Sequence, residues 1–325
     1  MIRFGVLSTG EPIHAVDIAA GDLSARFLTR GATLRSLRLR GVAHDLTVGD
    51  DDLSLYEGPD GPLIYHGAIV APVGNRLRGA RAVVDGRACR FPPNQGPHIL
   101  HSGAVGTQFK PWEVLERAED RVLFGLALPD GEGGFPGNRR ITVRFLACAP
   151  ATLRMELIAV TDAPTLMNPV NHSYWNLDGT PTWEGHALRI TADAYLPVDD
   201  DILPTGEVRP VEGTPFDLRG GRRLRPGEPL LDHNFCLSRG REGLREVLWL
   251  TGASGLSMAL ATTEPGVQVY DGNQGARPGG QRHEAFAIEA QAWPDAPSHE
   301  GFPSILLRPG EVRRQVTEWR FAQPR

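Results

Sequence analysis

The chain has 325 residues, 41% of them hydrophobic and 22% charged, with a formal net charge of −5. That balance supports a sizeable core and argues against disorder. Acidic and basic residues are mixed throughout, with no basic tract for nucleic acid, so a small molecule is the expected partner. No apolar run reaches the length of a secretion signal or a membrane span, so no membrane association and a cytoplasmic location are expected. The three cysteines, Cys89, Cys148 and Cys236, are far apart, odd in number and form no CxxC pair. They are expected to be reduced, buried and structural.

The 38 glycines and 27 prolines suit many short strands joined by turns. Along the chain, Leu37 and Leu39 alternate with Arg38 and Arg40, which predicts a strand. Asp50 to Tyr56 predicts a helical turn or two. Asp85-Gly86 and Asp130-Gly131 read as turns. Ile141, Val143 and Phe145 occupy every second place, as do Leu153, Met155 and Leu157. Gly220-Gly221 and Gly252–Gly255 are further turn signals, and Leu256, Met258 and Leu260 share one face of another run. A period of two places such side chains on one side of a strand, facing a core. Heptads, a fixed-period repeat and strand–helix alternation are all lacking. The expected fold is all-β, a large antiparallel β-sandwich of stacked sheets forming one domain over residues 1–325.

Polar side chains able to do chemistry concentrate in six segments: Gly74-Asn75-Arg76, His98–His101, Asn171–Asn176, Asp232–Phe235, Gly266–Tyr270 and Ile288–Gln291. They read as loops on a rigid scaffold. Each residue also has a plainer reading. His172 alone suits a satisfied structural histidine, Arg76 a surface arginine and Asp232 a turn cap. Glu289 suits a solvent-facing strand residue, but burying a bare charge in so apolar a run is costly, which marks it as functional. His98 and His101 are spaced like a metal pair. Pro97 and Gly103 oppose the helix such a pair needs, and the accompanying glutamate of HExxH is missing, so no metal is expected.

The motifs NHSYWNLDG (Asn171–Gly179), LDHNF (Leu231–Phe235), GVQVYDGN (Gly266–Asn273) and IEAQAWPDAPSHEGFPSILLRPGE (Ile288–Glu311) resemble, in this order, the aldose 1-epimerase (galactose mutarotase) family. GNRLRG (Gly74–Gly79) and HILHSG (His98–Gly103) extend the match. The resemblance runs from about residue 70 to 311 and implies a β-sandwich of the galactose mutarotase type. It puts a general base on Glu289, a general acid on His172, and sugar contacts on Asn75, Arg76, His101, Asp232 and Gln268, with Tyr174 beside the acid as a further contact. Ser102 stands where the family often has glycine, Asp271 replaces a common threonine, and Val73-Gly74 precedes Asn-Arg where many members have alanine. These departures are expected to alter the pocket edge.

The implied reaction interconverts the α and β anomers of a free aldose such as galactose or glucose. A base takes the anomeric hydroxyl proton, an acid protonates the ring oxygen, the ring opens, and it recloses on the other face. No cofactor is needed. Glu289 and His172 are expected on opposite sides of a pyranose, with burial raising Glu289 and a carboxylate, Asp232 or Glu289 itself, holding His172 protonated. A sugar-phosphate 1-epimerase, a glycoside hydrolase using Glu289 with Asp232, and a non-catalytic sugar-binding protein are the alternatives. The chain is expected to act as a monomer or homodimer.

Overall fold

The period-two pattern is realised most fully in the strands Arg139–Cys148 and Thr152–Thr161. Buried Ile141, Val143 and Phe145 alternate there with more exposed partners, and buried Leu153, Met155 and Leu157 face the same side. The computed structural model describes residues 1–275 and 277–324. Three sheets dominate it. A nine-stranded sheet runs Glu113–Arg117, Arg121–Leu128, Arg139–Cys148, Thr152–Thr161, Arg313–Ala322, Ser257–Thr262, Arg245–Thr251, Ala187–Ile190, Arg222–Arg223. The strand Arg313–Ala322 therefore pairs on both sides, with Thr152–Thr161 and with Ser257–Thr262. A four-stranded sheet holds residues 2–39. A six-stranded sheet runs Tyr174–Trp175, Phe286–Gln291, Gly266–Tyr270, Asp232–Cys236, Ala194–Tyr195, Arg209–Pro210. The long ladders are antiparallel.

One hydrophobic cluster joins all three sheets. Phe27 of the four-stranded sheet, Phe145, Leu260 and Trp319 of the nine-stranded sheet, and Phe235, Val267 and Ile288 of the six-stranded sheet all belong to it. The arrangement is an antiparallel β-sandwich, as the alternation predicts. Trp175 is fully buried, with ring centroids 5.8 Å from Trp319 and 5.7 Å from Phe321, bridging the two layers. Trp175→Ala should lower unfolding free energy by about 3–5 kcal/mol in urea titration, the usual cost of emptying so large a core site. A loss below about 1 kcal/mol would show that the layers do not depend on this ring.

Local expectations fare well. Asp85 and Gly86 both take left-handed backbone (φ 49° and 82°) in the hairpin joining Arg81–Val84 to Arg87–Arg90, the turn geometry that matches strand twist. The helical stretch near Tyr56 is a 3₁₀ turn, Leu53–Tyr56, whose start is capped by the Asp52 side chain accepting from the Ser54 amide. Cys89 and Cys236 are buried and free; Cys148 is free but only half-buried. No helix among the described residues is long and apolar enough to cross a membrane.

Candidate active site

Three of the six polar segments are strands rather than loops: Asp232–Cys236, Gly266–Tyr270 and Phe286–Gln291 lie side by side. Their register makes the site. Gln268 is the direct partner of Glu289 and of Asn234, and Tyr270 of Asp232. Alternation sends Ile288, Val267 and Phe235 into the shared core. Glu289, Gln268 and Asp232 therefore project from the other face. Glu289 is buried, as its apolar neighbours require, but its strand is covered on both faces, so the outward side leads to a pocket and not to solvent.

That pocket is a cavity of about 310 Å³. Asn75, Arg76, His101, His172, Tyr174, Asp232 and Glu289 all line it. His172 follows the short strand Val170–Asn171. Its amide donates to the Ala68 carbonyl (2.9 Å), and its carbonyl accepts from the Gly67 amide (2.9 Å). Asn75 and His101 brace each other. The His101 amide donates to the Asn75 carbonyl (2.9 Å), and the Asn75 amide donates to His101 Nδ1 (3.1 Å). Both residues hold left-handed backbone (φ 56° and 52°), a strain this mutual bracing sustains. Arg76 Nε donates to Gln95 Oε1 (2.7 Å), and its Nη1 lies 4.0 Å from Asp232 Oδ2, so the guanidinium faces the cavity in a fixed plane.

His172 Nε2 is 3.5 Å from Glu289 Oε1, and both groups are almost wholly buried. The two tips therefore share one side of the cavity, not opposite sides. This corrected geometry suits the chemistry better. The anomeric oxygen and the ring oxygen are bonded to the same carbon, so a base for one and an acid for the other must stand close together.

Burial, reinforced by the negative charge of Asp232 and opposed by Arg76, pushes Glu289 up to about 8. Burial pulls His172 down to about 4, against a backbone hydrogen bond that raises it. Between those values the pair holds one proton, resting on Glu289. Moving it across the 3.5 Å gap gives carboxylate and imidazolium without changing net charge. The carboxyl beside His172 is Glu289, and burial still pulls the imidazole down.

Gln268 departs from expectation. It does not line the cavity; its Nε2 donates to Asp232 Oδ1 (2.6 Å). It holds Asp232 in place. His98 also lies away from the cavity. Its Nδ1 accepts from the Gly79 amide (3.0 Å), and its Nε2 is 3.3 Å from Asp201 Oδ2. A different trio, His101, His172 and Glu289, has ligand-type atoms within 4.8 Å of one another. Because His101 Nδ1 accepts from a backbone amide, its proton sits on Nε2. A metal-bound histidine instead donates from its second nitrogen, so the set suits proton transfer and hydroxyl binding, not a cation. Tyr65, His66, Gln95, Tyr270 and Glu284 line the cavity too; Tyr270 ends one of the six polar segments, and the other four lie outside them. Tyr65 and His66 sit in a turn without periodicity. Their only signal is an aromatic–imidazole pair between Gly61-Pro62 and Gly67.

The family model for aldose 1-epimerase matches residues 14–320. The chain belongs to the aldose 1-epimerase family. Galactose mutarotase of Rattus norvegicus is 36% identical, with 98% of this chain and 97% of that protein covered. Aldose 1-epimerase of Escherichia coli K12 is 31% identical, with 90% of each covered. Among solved structures, the aldose epimerase homologue of C. elegans superposes with a TM-score of 0.87 at 30% identity, covering 96% of this chain and all of that one. Within this aldose 1-epimerase family chain, the three departures lie behind the cavity wall and not at its edge. Ser102 takes left-handed backbone (φ 63°) and its hydroxyl bonds both the amide and the carbonyl of Val73. Buried Asp271 accepts from the Asn273 amide. A Cβ on Gly74 would stand 2.6 Å from Val170 Cγ1, so the alanine of other members has no room here.

Proposed function

We propose that this chain is a mutarotase of free aldoses such as galactose or glucose, that Glu289 is its general base and His172 its general acid, and that residues 1–325 work as one catalytic unit. The observation that carries the assignment is the 3.5 Å contact between these two buried groups in a cavity also lined by the hydroxyl-binding side chains of Asn75, Arg76, His101 and Asp232. In the working tautomer, carboxylate and imidazolium, Glu289 accepts the anomeric hydroxyl proton while His172 protonates the ring oxygen. After rotation of the aldehyde each group works in reverse. Arg76, the Nε2–H of His101 and the side-chain Nδ2 of Asn75 supply donors to the sugar, and Asp232, held by Gln268, accepts from a hydroxyl pair. Tyr174 offers a ring against the sugar face. Such positioning keeps the reacting atoms between acid and base. Polarimetry of freshly dissolved α-D-galactose and α-D-glucose tests the reading, which predicts accelerated relaxation; an unaccelerated trace for every common hexose and pentose would sink it.

A phosphorylated sugar is disfavoured by charge. The cavity sets one arginine, Arg76, against Asp60 and Asp232, while Glu284 in the same lining is already paired with Arg277. Arg78 turns away to Asp199 (2.8 Å) and Asp295 (3.5 Å), and Arg81 is exposed. Glucose 6-phosphate should therefore be epimerised with kcat/KM at least tenfold below glucose, in a coupled assay specific for the β anomer; each like-charge contact of about 1.4 kcal/mol gives that factor. Equal or better turnover of the phosphate would reverse the substrate assignment. A chromogenic glycoside should release no product, since Asp232 is engaged by Gln268.

A further inference from the structure

His172 is packed among aromatic rings. Tyr174 lies nearly parallel to it (centroids 5.2 Å apart, planes 22°), and so does Tyr65 (5.7 Å, 24°). Tyr174 is itself backed by His66, stacked at 3.8 Å and 7°. Tyr65 also touches His101 (4.6 Å), which meets His172 edge-on at 5.0 Å. The titratable and charged groups around His172 are thus Glu289, His101, Tyr65, Tyr174 and, behind Tyr174, His66, with Asp60, Arg76, Asp232, Tyr270 and Glu284 elsewhere on the cavity wall. Burial keeps His66 and His101 neutral, and among the described residues Glu289 is the one carboxyl within 4.0 Å of a His172 ring nitrogen.

We propose that Tyr65 is a positioning residue for mutarotation, presenting its π face to His172 so as to favour the imidazolium and hold Nε2 toward Glu289. A cation within about 6 Å of an aromatic centroid is attracted by the ring quadrupole, most strongly where water is excluded. Both tyrosines meet that distance in a buried site. The role rests on the acid assignment of His172 made above.

The consequence for pH is specific. Removing the ring disfavours every state in which His172 is charged. One such state is the doubly protonated pair that forms at the acid limb; the other is the carboxylate–imidazolium tautomer that does the work. The first effect moves the acid limb to lower pH. The second lowers the plateau by the same factor. The alkaline limb, set by loss of the proton resting on Glu289, stays in place.

The test compares Tyr65→Leu with Tyr65→Phe. For Tyr65→Leu the plateau kcat should fall about tenfold, a middling cation–π effect, with the acid limb displaced about one pH unit downward and KM less affected than kcat. Tyr65→Phe should keep both near wild type, since the ring remains. Imidazole nitrogen NMR titration of the unliganded protein should place the His172 midpoint about one unit lower in Tyr65→Leu, whatever the activity. Should Tyr65→Leu fail to fold, Tyr65→Met fills the volume with a flexible side chain and takes its place. A slower plateau with unmoved acid limb and unmoved His172 midpoint, or equal losses in Phe and Leu variants, would overturn the proposal. If the wild type accelerates no mutarotation, the functional assignment fails separately, and the NMR midpoints still decide the role of Tyr65.

Discussion

Glu289→Gln should slow enzyme-accelerated mutarotation of α-D-galactose by about 10²–10⁴-fold, the usual worth of a positioned proton acceptor. The substitution is nearly isosteric and removes a carboxyl that burial already holds protonated, so folding should persist and circular dichroism should be unchanged. His172→Asn should cost a similar factor, because the ring oxygen then has no proton donor. The double variant should be hardly slower than either single one, since the two groups act as a unit and their losses do not add. Wild-type rates in Glu289→Gln would refute the base assignment. Fully additive losses in the double variant would show that the two residues work in separate steps.

The second large effect is on pH. With Glu289 at about 8 and His172 at about 4, kcat/KM should form a broad plateau between those values. Below about 4 the pair gains a second proton, Glu289 can no longer accept, and the rate should fall about tenfold per pH unit. Above about 8 the pair loses its only proton, no donor remains, and the rate should fall equally steeply. These limbs belong to the pair and not to either residue alone. A single transition near 6.5 would instead mark an ordinary, hydrated histidine and contradict the buried pair.

The sandwich was legible because one-sided burial writes a period of two into strands such as Arg139–Cys148. The chemistry was legible where motifs were long, as around His172, and where a charge stood among apolar neighbours, as at Glu289. Position across the sheet was not. Phe286–Gln291 is buried on both faces, so its sequence shows no alternation to tell which side Glu289 takes. The closeness of the two tips comes from pairing between segments remote in sequence, as does the capture of Gln268 by Asp232. Tyr65 and His66 were missed for a related reason: a turn carries no periodicity, and their partners come from elsewhere in the chain.

The twofold-paired strand Arg313–Ala322 contributes nothing to the cavity lining, yet it holds the two halves of the largest sheet together. Gln315 Nε2 donates to the carbonyl of Ala290, next door to Glu289 (2.8 Å). A ribosome that stopped just before this segment would release a polypeptide holding every proposed sugar contact. It would also have a rent down the middle of its largest sheet, with two long unsatisfied margins inviting other copies to dock. Such a truncation should yield aggregates and not a feeble enzyme, so a strand remote from the reaction guards it.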